Sequence, residues 1–239
     1  MRTKEFLSKN GVDMVVVDVL NDAGGRELLL NKFGLRKVPV LAKGDKYAMG
    51  QMLDPFAQLA GLPIPGADRL SPEQLYKKYE MIFGAAQRYA RQFPADKFRE
   101  RVIPHRERLI RTLCYHVFRI GESFLETWDG AEYSVKIADN EPPDSMQTGD
   151  DIARYGASVW ARYEKWWAGL VAADRKLQRV LKTYYGDTVA HKLFERVTWH
   201  SAQHCRQLVA VLERMDIKPD KPLTPEDLQG LPMPERLWE

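Results

Sequence analysis

The residues of this 239-residue chain best able to do chemistry gather in Thr198-Trp199-His200-Ser201-Ala202-Gln203-His204-Cys205-Arg206. Two histidines four residues apart on a helix stand about 40° apart in projection and about 6 Å apart along the axis, so both rings can reach one metal ion. A third ligand must come from another helix, and His116, on a stretch with Leu113, Val117 and Ile120, is the best-placed residue. Three imidazoles with an open fourth position suit a divalent metal such as zinc or nickel plus a water. Such a site holds a bound water or thiol as its anion. Histidines at this spacing also arise on solvated faces, and a lone His116 can be a hydrogen-bonded core residue. The neighbours favour the site: Trp199, Leu208, Val209 and Val211 are apolar, and burying two imidazoles without a partner is costly. His105 and His191 lie among charged residues near predicted helix starts and read as surface residues.

The other reactive side chains read as structural. Cys205 is rotated about 100° from His204 and Cys114 about 200° from His116, so neither shares the face of its neighbouring histidine. Two thiols without a secretory leader fit a reducing compartment, and the expected location is the cytoplasm. Trp160, Tyr163, Trp166 and Trp167 space mainly at three and four, as core residues do. Arg99, Arg101, Arg106, Arg108 and Arg111 are interleaved with Glu100 and Glu107, which reads as a solvated face. Glu122 and Glu126 are candidate supports for the metal ligands, although the rotation of Glu122 from His116 is unfavourable.

Helices must position the three histidines, and after residue 70 the pattern is helical almost throughout. Ser71-Pro72-Glu73-Gln74 supplies an N-cap, a proline at the first helical position and an acidic first turn, opening a helix to about Phe93. Further amphipathic stretches run from about His105 to Trp128, Gly149 to Ala173 and Asp187 to Met215, with a short helical piece near Leu177 to Tyr185. This predicts a four-helix bundle with a long connection over residues 129–148 and an extended proline-rich tail from Lys218. The residues before Pro63 follow another rhythm. Arg2 to Ser8 reads as a helix end, Met14 to Val19 as a buried strand, Gly24 to Phe33 as a helix stopped by Gly34, Val38–Ala42 and Tyr47–Met49 as a hairpin, and Pro55 to Leu62 as a closing helix. Leu62-Pro63-Ile64-Pro65-Gly66 breaks the two patterns apart, giving a small unit over 1–62, a linker over 63–70 and a bundle with its tail over 71–239.

Composition narrows the function classes. Hydrophobic residues at 44% and charged residues at 29% are globular values and exclude wholesale disorder. A net charge of +3 makes no case for nucleic acid, and no apolar run approaches the roughly 20 residues that span a bilayer. Neither nucleic acid nor a membrane is an expected partner. A homodimer is compatible with the sequence, though no motif demands one.

Residues 71–239 resemble the DinB-like metalloprotein superfamily, a four-helix bundle with one metal-binding histidine on the second helix and an HxxxH pair on the last long one. His116 in YHVFRIGESF and His200 and His204 in WHSAQHCRQL fit that pattern, and PLTPEDLQGLPMPERLW resembles its tail. Some members are S-transferases or isomerases that use low-molecular-weight thiols. Residues 2–62 resemble a glutaredoxin or related thioredoxin-fold domain through RTKEFLSKNGVD, the run VVVDV, the Val38-Pro39 step of LRKVPVL, and Gly50-Gln51. That resemblance implies a cis Val38–Pro39 peptide and thiol binding by Val38, Pro39, Gly50 and Gln51. The family's first strand and its cysteine motif have no counterpart after Met1, and the first cysteine is Cys114. A thiolate is obligatory for disulfide exchange, so the native product is expected to begin upstream with a strand carrying CxxC or a related motif.

The fold class is therefore α+β: an incomplete thioredoxin-like α/β unit followed by an all-α, DinB-like four-helix bundle. The functional expectation is a metal-dependent transferase or isomerase using glutathione or another small thiol and an electrophile. The alternatives are a non-catalytic metal-binding protein with a degenerate docking domain and, given an upstream CxxC, a thiol-disulfide oxidoreductase.

Overall fold

The computed structural model describes residues 2–19, 21–36, 38–50, 53–63, 69–103, 107–134, 136 and 140–238. The fold is α+β, and the chain divides into two compact units, Met1–Ala67 with Pro234–Leu237, and Asp68–Met233 with Trp238. Most of the expected linker, 64–68, lies outside the described residues.

The small unit runs α1 (Arg2–Lys9), α2 (Ala23–Phe33), β1 (Val40–Lys43), β2 (Lys46–Met49) and α3 (Leu53–Ala60). Asp22 caps α2 by accepting the Gly25 amide at 3.0 Å. Gly34, at φ 66°, ends it in the left-handed conformation that a residue without Cβ adopts cheaply. β1 and β2 form the expected antiparallel hairpin, with Leu41 opposite Ala48. Leu7, Ala48 and Phe56 form its core, against which Phe6, Val12, Met14, Leu41 and Leu59 pack.

One expected element is missing from this unit. Met14–Val19 is not a strand; residues 12–18 carry no regular structure, and β1 is paired only with β2 among the described residues. Val15, Val16 and Val17 are 91%, 57% and 45% exposed. β-Branched residues suit a pleated, half-buried surface, but a strand exists only where a ladder partner takes its backbone groups.

The second unit contains α4 (Pro72–Gln92), α5 (Ile110–Trp128), α6 (Gly149–Gly169), the hairpin β3 (Val180–Leu181) and β4 (Thr188–Val189), α7 (Ala190–Arg214) and the short α8 (Pro225–Leu228). Capping boxes open α4 at Ser71–Gln74 and α6 at Thr148–Asp151. The four long helices pack in the ring α4–α7–α5–α6, leaving α4 and α5 on the diagonal. Their core is aromatic: Tyr79, Phe83, Phe118, Phe124, Tyr163 and Phe194 are fully buried. Tyr163 lies in this core and Trp160, Trp166 and Trp167 pack against it, as their spacing predicts.

Three boundaries differ from the sequence pattern. α5 begins at Ile110, because Val102 bonds the Arg108 carbonyl and Ile110 the Glu100 carbonyl, both at 2.9 Å, which folds the preceding segment back on itself. α6 stops at Gly169, before a single 3₁₀ turn at Asp174–Lys176. The helical piece expected over Leu177–Tyr185 is instead the β3–β4 hairpin, where Gly186 turns at φ 108° between segments rich in Val and Thr. Arg111 also leaves the solvated face predicted for it. It is buried and donates to the carbonyls of Pro142, Pro143 and Met146, clamping the α5–α6 connection. The tail lies along α4, where Gln92 Nε2 donates to Lys218 O at 2.8 Å and the Leu223 amide to Tyr89 Oη at 3.0 Å.

Two glycines set how closely α6 approaches its neighbours. A Cβ on Gly149 would stand 1.8 Å from the Ala90 carbonyl oxygen, and one on Gly156 would stand 2.5 Å from the Phe118 ring. Overpacking of this kind costs about 1–3 kcal/mol. Gly149→Ala, which meets backbone, is expected to lose more stability in urea denaturation than Gly156→Ala, which meets a ring able to shift. The reverse order, or a gain from helix propensity in both, would contradict this packing.

Candidate metal centre

α5 and α7 meet along a buried seam, and polar bonds within it fix their register. Ser201 Oγ donates to the Val117 carbonyl at 2.9 Å, and Tyr79 Oη on α4 lies 3.2 Å from the same Oγ. Because the single serine proton is committed to Val117, the tyrosine is the donor in the second bond. Val117 follows His116 and Ser201 follows His200, so this bond sets the histidines of the two helices at one level.

One donor nitrogen from each of His116, His200 and His204 lies within 4.8 Å of the others. The ring centroids are 4.7 Å apart for His200–His204, 5.0 Å for His116–His204 and 5.6 Å for His116–His200. His116 and His204 are buried and His200 is half-buried. The three residues singled out from spacing are thus brought together.

Two nitrogens in this cluster, His200 Nδ1 and His204 Nε2, are buried and have no hydrogen-bond partner. Leaving such groups unsatisfied costs about 1–3 kcal/mol each, so the arrangement calls for a ligand. His204 also has its tautomer set. Its Nδ1 lies 2.7 Å from Gln207 Oε1, and an amide oxygen only accepts, so Nδ1 carries the proton and Nε2 presents a bare lone pair. Burial, then the Arg108 charge, pulls the His204 pKa down to about 3 against the opposing Gln207 bond. Burial also holds His200 well below its ordinary value, with the charges of His204, Arg196, His116 and Arg108 adding to the shift. The donor set fits a metal ion: three imidazoles from two helices, of which His200 and His204 are kept neutral by burial.

Sequence comparison bears on the small unit. Residues 1–48 match the glutaredoxin family model. The N-terminal unit is glutaredoxin-like, and the match covers α1, α2, β1 and all but the last residue of β2. Comparison with curated proteins and with solved structures gives no match. In this unit the Val38–Pro39 peptide is cis. The Gly50 amide donates to the Pro39 carbonyl at 2.8 Å, and a Cβ on Gly50 would lie 2.4 Å from Pro39 Cγ and 3.0 Å from Thr3 Cγ2. Thr3, Pro39 and Gly50 therefore meet in one close-packed corner, Val38 next to it is 42% exposed, and Gln51 lies outside the described residues. No helix among the described residues is long and apolar enough to cross a membrane.

The remaining sequence candidates fall elsewhere. Cys114 and Cys205 are free and fully buried, and burial raises both thiol pKa values, so neither is a ready nucleophile. Glu122 and Glu126 do not support the ligands. Glu122 accepts from Arg119, Tyr155 and Arg162, and Glu126 from Arg119, forming an ion-pair network between α5 and α6. His191 is half-buried, with Nε2 2.8 Å from the Leu70 carbonyl, so it is no surface residue, and His105 is outside the described residues. Gln207 escaped the sequence reading, although its spacing of three from His204 on one helix face was available.

In protein stripped of metal by a chelator, only the unfolded chain binds protons at His204 between pH 6.5 and about 3, the unfolded and folded pKa values. Stability therefore rises with pH across that window and falls as the pH drops below about 6.5, by roughly 1 kcal/mol per pH unit for each such histidine. Urea midpoints of chelated protein at pH 7.5 and 5.5 should show the loss, and His204→Gln should reduce it. A midpoint that does not change with pH would contradict the buried, neutral state of these rings.

Proposed function

We propose that the chain is a metal-dependent transferase or isomerase of the DinB-like type that uses a low-molecular-weight thiol such as glutathione. The observation that carries this reading is the pair of unpartnered buried nitrogens on His200 and His204, converging with His116 in a chain whose N-terminal unit is glutaredoxin-like. His116, His200 and His204 hold a divalent metal, with zinc or nickel the best chemical fit to three imidazoles. When bound, the metal supplies a positive charge that keeps a thiol as its thiolate at neutral pH. Gln207 holds the His204 ring and tautomer, and the apolar packing of Trp199 and the α5–α7 seam limits water around the reacting group.

Residues 1–62 have the role of thiol recognition in this reading, through Val38, Pro39, Gly50 and Gln51. Residues 1–113 contain no cysteine, so binding is assigned to these residues and disulfide exchange is not. The second substrate is an electrophile. In a transfer the thiolate sulfur bonds to its carbon as a leaving group departs with the electron pair. In an isomerisation the thiolate adds to a carbon–carbon double bond and is expelled again after rotation about the resulting single bond.

Elemental analysis of purified protein should find about one divalent ion per chain, lost in both His200→Ala and His204→Ala. Gln207→Leu should bind it roughly 10- to 100-fold more weakly. Turnover of an electrophile panel should require both the metal and a thiol. Full metal content in both alanine variants would refute the site. Metal removal that lowers the melting temperature, with no thiol-dependent turnover in the panel, would leave a metal-stabilised protein and refute the enzyme.

A further inference from the structure

Arg196, His200 and His204 follow one another at intervals of four residues and form a single stripe on α7. Arg196 therefore sits one helical turn from His200, on the same face, and its charge is felt at the His200 ring. Its guanidinium lies 5.7 Å from the Tyr185 ring centroid and 5.9 Å from that of Trp199, whose own ring is 5.5 Å from His200. Tyr185 arrives from the loop between β3 and β4. That loop is tied down by Tyr133, whose amide donates to Lys182 O and whose carbonyl accepts from the Tyr184 amide, both at 2.9 Å. Tyr185 Oη is buried and has no hydrogen-bond partner.

A phenolic hydroxyl awaiting a partner thus belongs to a ring 5.7 Å from a guanidinium that lies one turn of α7 from a histidine with an imidazole nitrogen awaiting a partner. The first two are the donors that a carboxylate takes: a planar fork for its two oxygens and a neutral O–H for a remaining lone pair. We infer that Arg196 and Tyr185 form a carboxylate-binding subsite beside the histidine cluster, selecting a thiol that bears a carboxylate. This inference rests on the metal–thiol reading and names the substrate class that the same site takes. Arg196 supplies the charge, and Tyr185 supplies orientation and a hydroxyl that is satisfied only when the ligand is present. The aromatic faces of Tyr185 and Trp199 hold the guanidinium in place.

The test uses full-length protein loaded with cobalt(II), whose visible spectrum reports thiolate binding, and two probes that differ only in charge, 3-mercaptopropionate and 3-mercaptopropionamide. The wild type should bind the carboxylate probe more tightly by roughly 10- to 100-fold, the size of a charge-assisted hydrogen bond. Arg196→Gln should abolish that preference while keeping cobalt uptake and amide binding. Arg196→Lys should restore part of it. Tyr185→Phe removes a hydroxyl that has no partner in the ligand-free chain, so it should fold with unchanged or higher stability and show a reduced preference. Equal affinity for the two probes, or a preference that survives in Arg196→Gln and in Tyr185→Phe, would overturn the subsite while leaving the metal–thiol reading intact. Cobalt that does not bind, or that binds with no spectral response to either thiol, would overturn that reading and the subsite with it.

Discussion

The buried hydrogen bond from Ser201 to the Val117 carbonyl governs the geometry of the larger unit. Apolar seams between helices tolerate small slips, because Leu, Val and Phe side chains are interchangeable over a fraction of a turn. A buried hydroxyl is not, since losing its acceptor leaves a polar group stranded in the core. The bond aligns α5 with α7, and the Tyr79 hydroxyl brings α4 to the same point. α6 joins through Tyr163, which donates to the Gly121 carbonyl at 2.8 Å, one turn along α5 from Val117. A small polar knot inside an aromatic core thus holds all four long helices.

The histidine cluster depends on that alignment. His116 and His200 are the chain neighbours of the two bonded residues, so a slip of one turn would carry their rings about 5 Å apart along the axis. Once aligned, burial depresses the basicity of His200 and His204 and leaves one nitrogen of each without a partner. Gln207 on α7 then selects which nitrogen of His204 faces inward. Packing, protonation and ligand capacity are consequences of a single register.

The glutaredoxin-like unit shows the opposite case, in which local preference lacks a tertiary partner. Val15, Val16 and Val17 have the side chains of a buried strand, and Leu41 and Ala48 show that a neighbouring hairpin forms as its pattern predicts. A hairpin closes through a short turn at Gly44 and needs nothing else. The valine segment needs a strand alongside it, finds none among the described residues, and stays exposed. The same contrast explains the Leu177–Tyr185 stretch, where a glycine turn and β-branched residues built a hairpin from a segment too short for periodicity to decide.

Much was legible without coordinates because it depends on near neighbours. The capping box at Ser71, the stop at Gly34, the four long amphipathic periods and the HxxxH spacing are local facts, and each survives in the structure. The pairing of His116 with His200 and His204 was also within reach, since only one other histidine fell within an apolar helical stretch. Long-range partners were not legible. Arg111 turned inward to the Pro142 and Pro143 carbonyls, Glu122 and Glu126 turned to Arg119, and Tyr185 came to lie beside Arg196 from a loop read as helix. Sequence by itself therefore determined the four long helices and which histidines of the last one share a face, because backbone geometry makes spacing equivalent to facing. Only the tertiary structure decided which nitrogens are left unpartnered and which side chains surround them, because burial and hydrogen bonding are settled between segments far apart in the chain.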